Sequence, residues 1–279
     1  MSIPITPTRL QAGQAFAAVY LLTATIALVC ASTVVSAADM AMPMKAPEPP
    51  AYLWTGCYVG ANVGGGTSAT NFGTGVDPGT YLAPPDPGTV SADGSGSRNS
   101  DGILAGGTVG CNWQTGTVVL GLEGDYDYFH SNPNLNNNSA ATGISLANGN
   151  PLAINQSLTT NFLATVRPRI GIAADRNFAY ITGGVAFTSV SYSESYVDGN
   201  APPGTGVASA SRALVGYAAG AGWEYAFADH WTARAEYLFV GFPTTNATGT
   251  IAGLGGTNTL HGSADLTIQL IRAGVNFKF

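Results

Sequence analysis

Near the C-terminus the chain reads "HGSAD", which sets His261, Ser263 and Asp265 two residues apart. A histidine base, a hydroxyl nucleophile and a carboxylate are the parts of an acyl-transfer relay. If the stretch is a strand, all three share one face. Side chains at i and i+2 still need a turn to meet, and polar residues leaving a strand for a loop look the same. Two other histidines, His130 and His230, stand apart from it. Haem or metal capture through His130 and His261 is conceivable, but the histidines do not cluster at ligand spacing. No metal or cofactor is expected. "GGG" at 64–66 has alternating residues around it, not the strand-to-helix context of a phosphate loop.

The remaining candidates are charges and cysteines. Only 9% of the 279 residues are charged, while 37 are glycine. That is too few charges for an ordinary soluble surface, and too many aromatic and aliphatic residues for disorder. From Ala38 onward nine basic residues stand against sixteen acidic ones, which argues against a nucleic-acid partner. Cys57 and Cys111 are too few for a disulfide scaffold or a CxxC metal site.

The elements that must position these residues follow from periodicity. Residues 1–37 read as a secretory signal: Arg9, then an uncharged apolar core ending in small residues. Cys30 falls inside it. Residues 38–52, "ADMAMPMKAPEPPAY", read as a Pro-rich periplasmic linker. From residue 53 onward, eight segments alternate with period 2: about 54–68, 102–114, 117–130, 158–173, 177–193, 209–228, 230–242 and 263–279. No run of about 18 apolar residues follows the signal, so no membrane helix is expected.

The connections sort by length. Segments two and three, four and five, six and seven join through very short turns around Thr115-Gly116, Ala174–Arg176 and Asp229. The others join through long polar stretches, including 69–100 and 131–157. An even strand number with short turns on one side and long loops on the other predicts an all-β, eight-stranded antiparallel transmembrane up-and-down β-barrel over 53–279. Closure also removes the sheet edges that lipid could not satisfy. Aromatics sort into two levels. Trp113, Phe227, Trp231, Phe277 and Phe279 lie near the short turns, and Tyr126, Tyr128, Phe162, Phe187 and Phe239 near the long loops. Segment five fits least well, because both of its faces are mixed.

On this parity ten charges point inward: Glu123, Asp125, Asp127, Glu224 and Glu236 against Arg167, Arg169, Arg234, Arg272 and Lys278. An eight-stranded interior is just wide enough for side chains to fill, so the set is expected to pair as a structural plug. A narrow pore is the competing reading. If Trp54 opposes Gln114, then Cys57 opposes Cys111, close enough for a disulfide in an oxidising periplasm. The alternative is two separate lipid-facing thiols.

"WTGCYVGANVGGG", "TVVLGLEGDYDY", "TVRPRIGIA", "GAGWEYAFADHWTARAEYLF" and "IRAGVNFKF" resemble the opacity-type outer-membrane immunogenic proteins of Gram-negative bacteria, often labelled porins. The resemblance covers 54–279. It implies an outer-membrane barrel, and it implies that Arg272, Gly274, Phe277 and Phe279 form a signal read by barrel-assembly machinery. Some relatives are associated with haem, so a loop-borne ligand receptor stays as one alternative to a non-enzymatic, structural or weakly porin-like barrel; an outer-leaflet lipid hydrolase, carried by His261, Ser263 and Asp265, stays as another. Outer-membrane lipid is the expected surrounding, and the chain is expected to be monomeric. Three positions depart from the family: Cys57 and Cys111 stand where aromatics are usual. Pro168 replaces a usual glycine and predicts a bulge.

Overall fold

In the computed structural model, residues 52–279 are described; the expected signal and most of the expected linker lie outside them. The strands are β1 (Gly56–Val76), β2 (Gly96–Thr115), β3 (Val118–Ser131), a short β4 (Asn134–Asn138), β5 (Leu152–Ala174), β6 (Asn177–Asp198), β7 (Thr205–Ala226), β8 (Trp231–Gly253) and β9 (Gly256–Lys278). β4 continues β3 along β5, so eight long strands form the ring. Every pairing is antiparallel between neighbours in sequence, and β1 closes on β9. The short turns follow Thr115, Ala174 and Ala226, with positive φ at Gly116 and Asp175.

The strands are far longer than expected. β5, β8 and β9 each run 23 residues, where about 9–11 tilted residues span a bilayer. The stretches expected as long loops are largely strand: 243–253 and 256–262 form one hairpin, and 69–76 pairs with β9. What remains as loop is 77–95, containing helix α1 (Asp86–Asp93), then 132–133 and 139–151 on either side of β4, the latter with a single helical turn α2 (Ser139–Thr142), and 199–204.

The reason lies in the faces. In the short-turn half, apolar side chains point out and polar ones in. Ile181, Val185 and Phe187 of β6 are exposed, as are Trp223 of β7 and Ile271 of β9. In the long-loop half the pattern inverts. Ser189, Ser191 and Ser193 of β6 face out, while Val190, Tyr192 and Tyr196 are buried. Leu260, Leu266, Ile268 and Leu270 of β9, and Val240 and Ile251 of β8, join them in one apolar cluster inside the barrel. This half is built like a soluble barrel, apolar within and polar without. The inversion within one strand is what gave the fifth segment two mixed faces.

Loop 77–95 folds inward over that cluster and places Leu82 and Val90 in it. Asn258 fixes the loop by accepting from the Leu82 N–H at 2.7 Å and donating to Leu82 O at 3.0 Å. Inside this half, the carboxylate of Glu194 is fully buried without an arginine. It is bonded by the Thr74 hydroxyl at 2.5 Å and the Tyr192 hydroxyl at 2.9 Å.

No bulge occurs at Pro168. The register with Leu122 on β3 runs through it unbroken, and on the other side Val166↔Val185 and Arg169↔Thr182 keep the same offset. Thr182 donates to Pro168 O at 2.9 Å, so the carbonyl beside the missing donor is satisfied by a side chain. The irregularities fall elsewhere: at Thr160–Ala164 of β5, at Tyr128–Ser131 of β3, between Val207 and Tyr217 of β7, and at Phe242–Thr245 of β8, where Pro243 stands.

Candidate functional site: the lumen

The interior holds three levels, two of them in the short-turn half. At the short-turn mouth, the residues preceding β1 fold under the barrel. Trp54, expected as the first residue of a strand, is instead 1% exposed inside the lumen, with its ring 5.1 Å from that of Phe178 and 5.0 Å from that of Tyr52. Its backbone N–H donates to Gln114 Oε1 at 2.7 Å. Lys278 belongs here and not to the inward charges. It sits at the rim, donates to Leu53 O, and lies 4.2 Å from the centre of the Tyr52 ring. The last residues of β9 run past the charged level, so their parity no longer points into it.

Above this layer nine buried charges come together. Glu123, Asp125 and Asp127 on β3, Arg167 and Arg169 on β5, Glu224 on β7, Arg234 and Glu236 on β8, and Arg272 on β9 are each at most 6% exposed. The register sets Glu123 opposite Arg167, Glu224 opposite Arg234 and Glu236 opposite Arg272. The side chains then bond across the lumen as well. Arg167 donates to Glu236 at 2.7 Å, Asp125 at 2.8 Å and Glu123 at 3.0 Å. Arg272 donates to Asp127 at 2.7 Å, Glu236 at 2.8 Å and Asp125 at 3.1 Å. Arg234 reaches Glu123 at 2.6 Å, and Arg169 reaches Glu224 at 3.1 Å. Coulomb attraction at such separations is strong only where water is excluded, and desolvation is offset only when every ion has partners.

Neutral side chains complete the set, and their part was not legible from charge alone. The Tyr58 hydroxyl donates to Glu123 at 2.5 Å, Asn112 accepts from Arg169 at 3.0 Å, and Thr232 and Asn276 donate to Glu224 at 2.5 and 2.8 Å. The guanidinium of Arg169 lies 4.8 Å from the centre of the Tyr58 ring and 5.1 Å from that of Tyr180, joining the charged level to the aromatic one. The third level is the apolar cluster above.

The sequence candidates for catalysis do not assemble. His261 bonds Asp77 at 2.9 Å, Ser263 donates to Gly73 O at 3.2 Å, and Asp265 accepts from Thr244, so no relay links the three. His130 bonds Asn161 and His230 bonds Lys278 O. Among the described residues no three His, Cys, Asp or Glu side chains are grouped to hold a metal ion.

Cys57 and Cys111 are joined in a disulfide on the outward face of the β1–β2 pair, with Cα atoms 4.0 Å apart. Arg272 and Gly274 lie within β9; Phe277 and Phe279 are exposed at its end.

Comparison with known proteins agrees with this architecture. A family description, outer membrane protein beta-barrel domain, matches residues 27–279. The 31 kDa outer-membrane immunogenic protein of Brucella melitensis biotype 1 is 28% identical over 232 residues, covering 82% of this chain and 85% of the relative. The 25 kDa outer-membrane immunogenic protein of Brucella abortus biovar 1 is 25% identical, covering 85% of each. Among solved structures, OprG of Pseudomonas aeruginosa aligns over 81% of this chain and 97% of its own, at 12% identity and a TM-score of 0.34. The chain belongs to the outer membrane protein beta-barrel domain family and is an integral protein of the outer membrane.

Proposed function

We propose that the protein is a non-enzymatic surface barrel whose lumen is closed by its own side chains. The supporting observation is the stack of an aromatic layer, nine mutually bonded charges and an apolar core along one axis. Ions bound to one another at 2.6–3.1 Å leave no hydrated path for a permeating ion. The long-loop end faces the cell exterior, because bacterial barrels keep short turns on the periplasmic side. Its loops and polar strand extensions present the chain's surface, and relatives named as immunogenic outer-membrane proteins suit that role. Planar-bilayer recording of the refolded protein tests the closed lumen. No steady current above the bare membrane is expected, and a sustained ohmic current would favour the narrow-pore reading.

A further inference from the structure

The inward-folded loop is fastened to a buried carboxylate. Glu194 on β6 is fully buried in the half of the barrel whose outward face is polar, well beyond the outward aromatic Phe187. A relay of side chains from three strands runs from it to Gly94 O, the carbonyl that follows α1. Gln156 on β5 donates to Gly94 O at 2.6 Å, and the Thr74 hydroxyl on β1 lies 3.1 Å from the same oxygen. Gln156 also donates to Thr74 Oγ1 at 2.6 Å, and Glu194 Oε1 is 2.5 Å from that hydroxyl. Two glycines permit the close approach. A Cβ on Gly94 would meet Thr74 Oγ1 at 2.2 Å, and one on Gly262 would meet Glu194 Oε2 at 2.2 Å.

The protons in this relay can be counted. Thr74 Oγ1 faces two oxygens, Gly94 O and Glu194 Oε1, and its hydroxyl has one proton to give. The Tyr192 hydroxyl is taken by Glu194 Oε2 at 2.9 Å. With Glu194 ionised, one of the two contacts at Thr74 lacks a proton. A protonated Glu194 supplies it: the acid donates to Thr74 Oγ1, and Thr74 donates to Gly94 O. An ionised Glu194 draws the Thr74 proton to itself, and Gly94 O loses that bond.

The surroundings favour the acid. The hydrogen-bond partners of Glu194 are Thr74, Tyr192 and Gln156, all neutral. Ala208 of β7 stands opposite it in the register, and Gly262 of β9 packs against it. Arg212, further down β7 opposite Val190, is exposed. Tyr196 further along β6 is bonded to Asp198. α1 itself brings Asp93, 2% exposed, whose carboxylate oxygens have no partner. Burial pushes the Glu194 carboxyl above the usual glutamate range, and the bonds from Thr74, Tyr192 and Gln156 offset only part of that. Elsewhere the loop is tied by Asn258 to Leu82, by the exposed His261–Asp77 pair, and by Asp86, which accepts from the Ala147 N–H.

We propose that Glu194 is a proton-operated latch for loop 77–95. Protonated, it completes the relay that holds Gly94 and keeps α1 inside the barrel. Ionised, it leaves a charge without a cation in an apolar interior, and α1 swings out. Once α1 has left, water reaches the carboxyl and its pKa returns toward about 4.3. Docking is therefore favoured in full below that value and is lost as pH rises toward the higher value of the closed barrel. Release bares the apolar cluster and leaves the charged level shut, so the absence of steady current is tested separately.

Hydrogen exchange read by mass spectrometry tests the latch on the refolded protein in phosphatidylcholine nanodiscs, with rates corrected for intrinsic exchange at each pH. The amides of 86–95, among them the Gly94 N–H bonded to Val90 O, should lose protection as pH rises. Between about pH 5 and pH 8 the loss should reach up to about tenfold per pH unit, the limit for one proton. Peptides from 263–275 of β9 should keep their protection, which separates loop release from unfolding. Glu194→Gln keeps a neutral donor toward Thr74, so its α1 protection should be flat with pH. In Asp93→Asn and in His261→Gln the fall should persist. Heat-modified gel migration verifies folding of each variant. Protection flat with pH in the unsubstituted protein overturns the proposal. So does a fall that survives Glu194→Gln, or one that disappears in Asp93→Asn or His261→Gln.

Discussion

At the scale of the residue, the interior is a set of mutual dependencies. Arg167 is fully buried and donates to three carboxylates, so removing it leaves Glu123, Asp125 and Glu236 short of a counter-ion with no solvent to replace it. Such a loss costs about 3–5 kcal/mol. Arg167→Ala should therefore lower the urea midpoint of the refolded barrel, followed by tryptophan fluorescence in lipid vesicles. An unchanged midpoint would show that the carboxylates find other partners. Reading these residues from sequence worked where parity carries the information. Glu123, Arg167, Arg234 and Arg272 each sit between outward apolar neighbours, which leaves one direction for a charge. It failed for Lys278, because parity does not say where along the axis a strand leaves the lumen. It could not find Tyr58 or Asn112 either, since a tyrosine or asparagine on an inward face carries no mark of the ion it will bond.

At the scale of the element, the first pair of strands is tied covalently. Cys57 and Cys111 oppose one another in the register that also pairs Gly56 with Asn112. The bond closes a sequence separation of 54 residues, which in the chain-entropy account is worth on the order of 4 kcal/mol. Denatured protein should take up no thiol label before reduction and two after it. The Cys57→Ser, Cys111→Ser double variant should fold and unfold at lower urea. The register was legible because β1 begins and β2 ends on the short-turn side, which the aromatics locate. Strand length was not legible. Past the outer aromatics the outward face turns to Ser, Thr and Asn, as in Ser189, Ser191, Thr248 and Ser263, and such residues read as loop when one assumes that the outward face must be apolar. The bulge expected at Pro168 did not form: the register with β3 runs through it unbroken, and the Thr182 hydroxyl donates to the proline's own carbonyl.

At the scale of the whole molecule, the inversion of faces along each strand sets the depth of the membrane. An outward apolar belt runs from Trp223, Trp231 and Phe277 up to Tyr128, Phe187 and Tyr217, and beyond it the outward face is polar. Lipid interfaces hold aromatic rings at both boundaries, so the hydrocarbon lies between these two levels. The wall above the upper level then stands in water, and the hairpin joining β8 to β9 is its far tip, with Leu254 74% exposed. The turn at Asp175–Arg176 is at the opposite pole, beneath Trp54. An epitope tag inserted after Leu254 extends a two-residue turn without touching the ladder below, and should bind antibody on intact cells. The same tag inserted after Asp175 should bind only once the outer membrane is permeabilised. Because one molecule carries both poles, reversed accessibility of the two tags would place the short turns outside and invert the orientation, whereas access to neither on intact cells would mean that surface glycans cover even the tip of the extended wall.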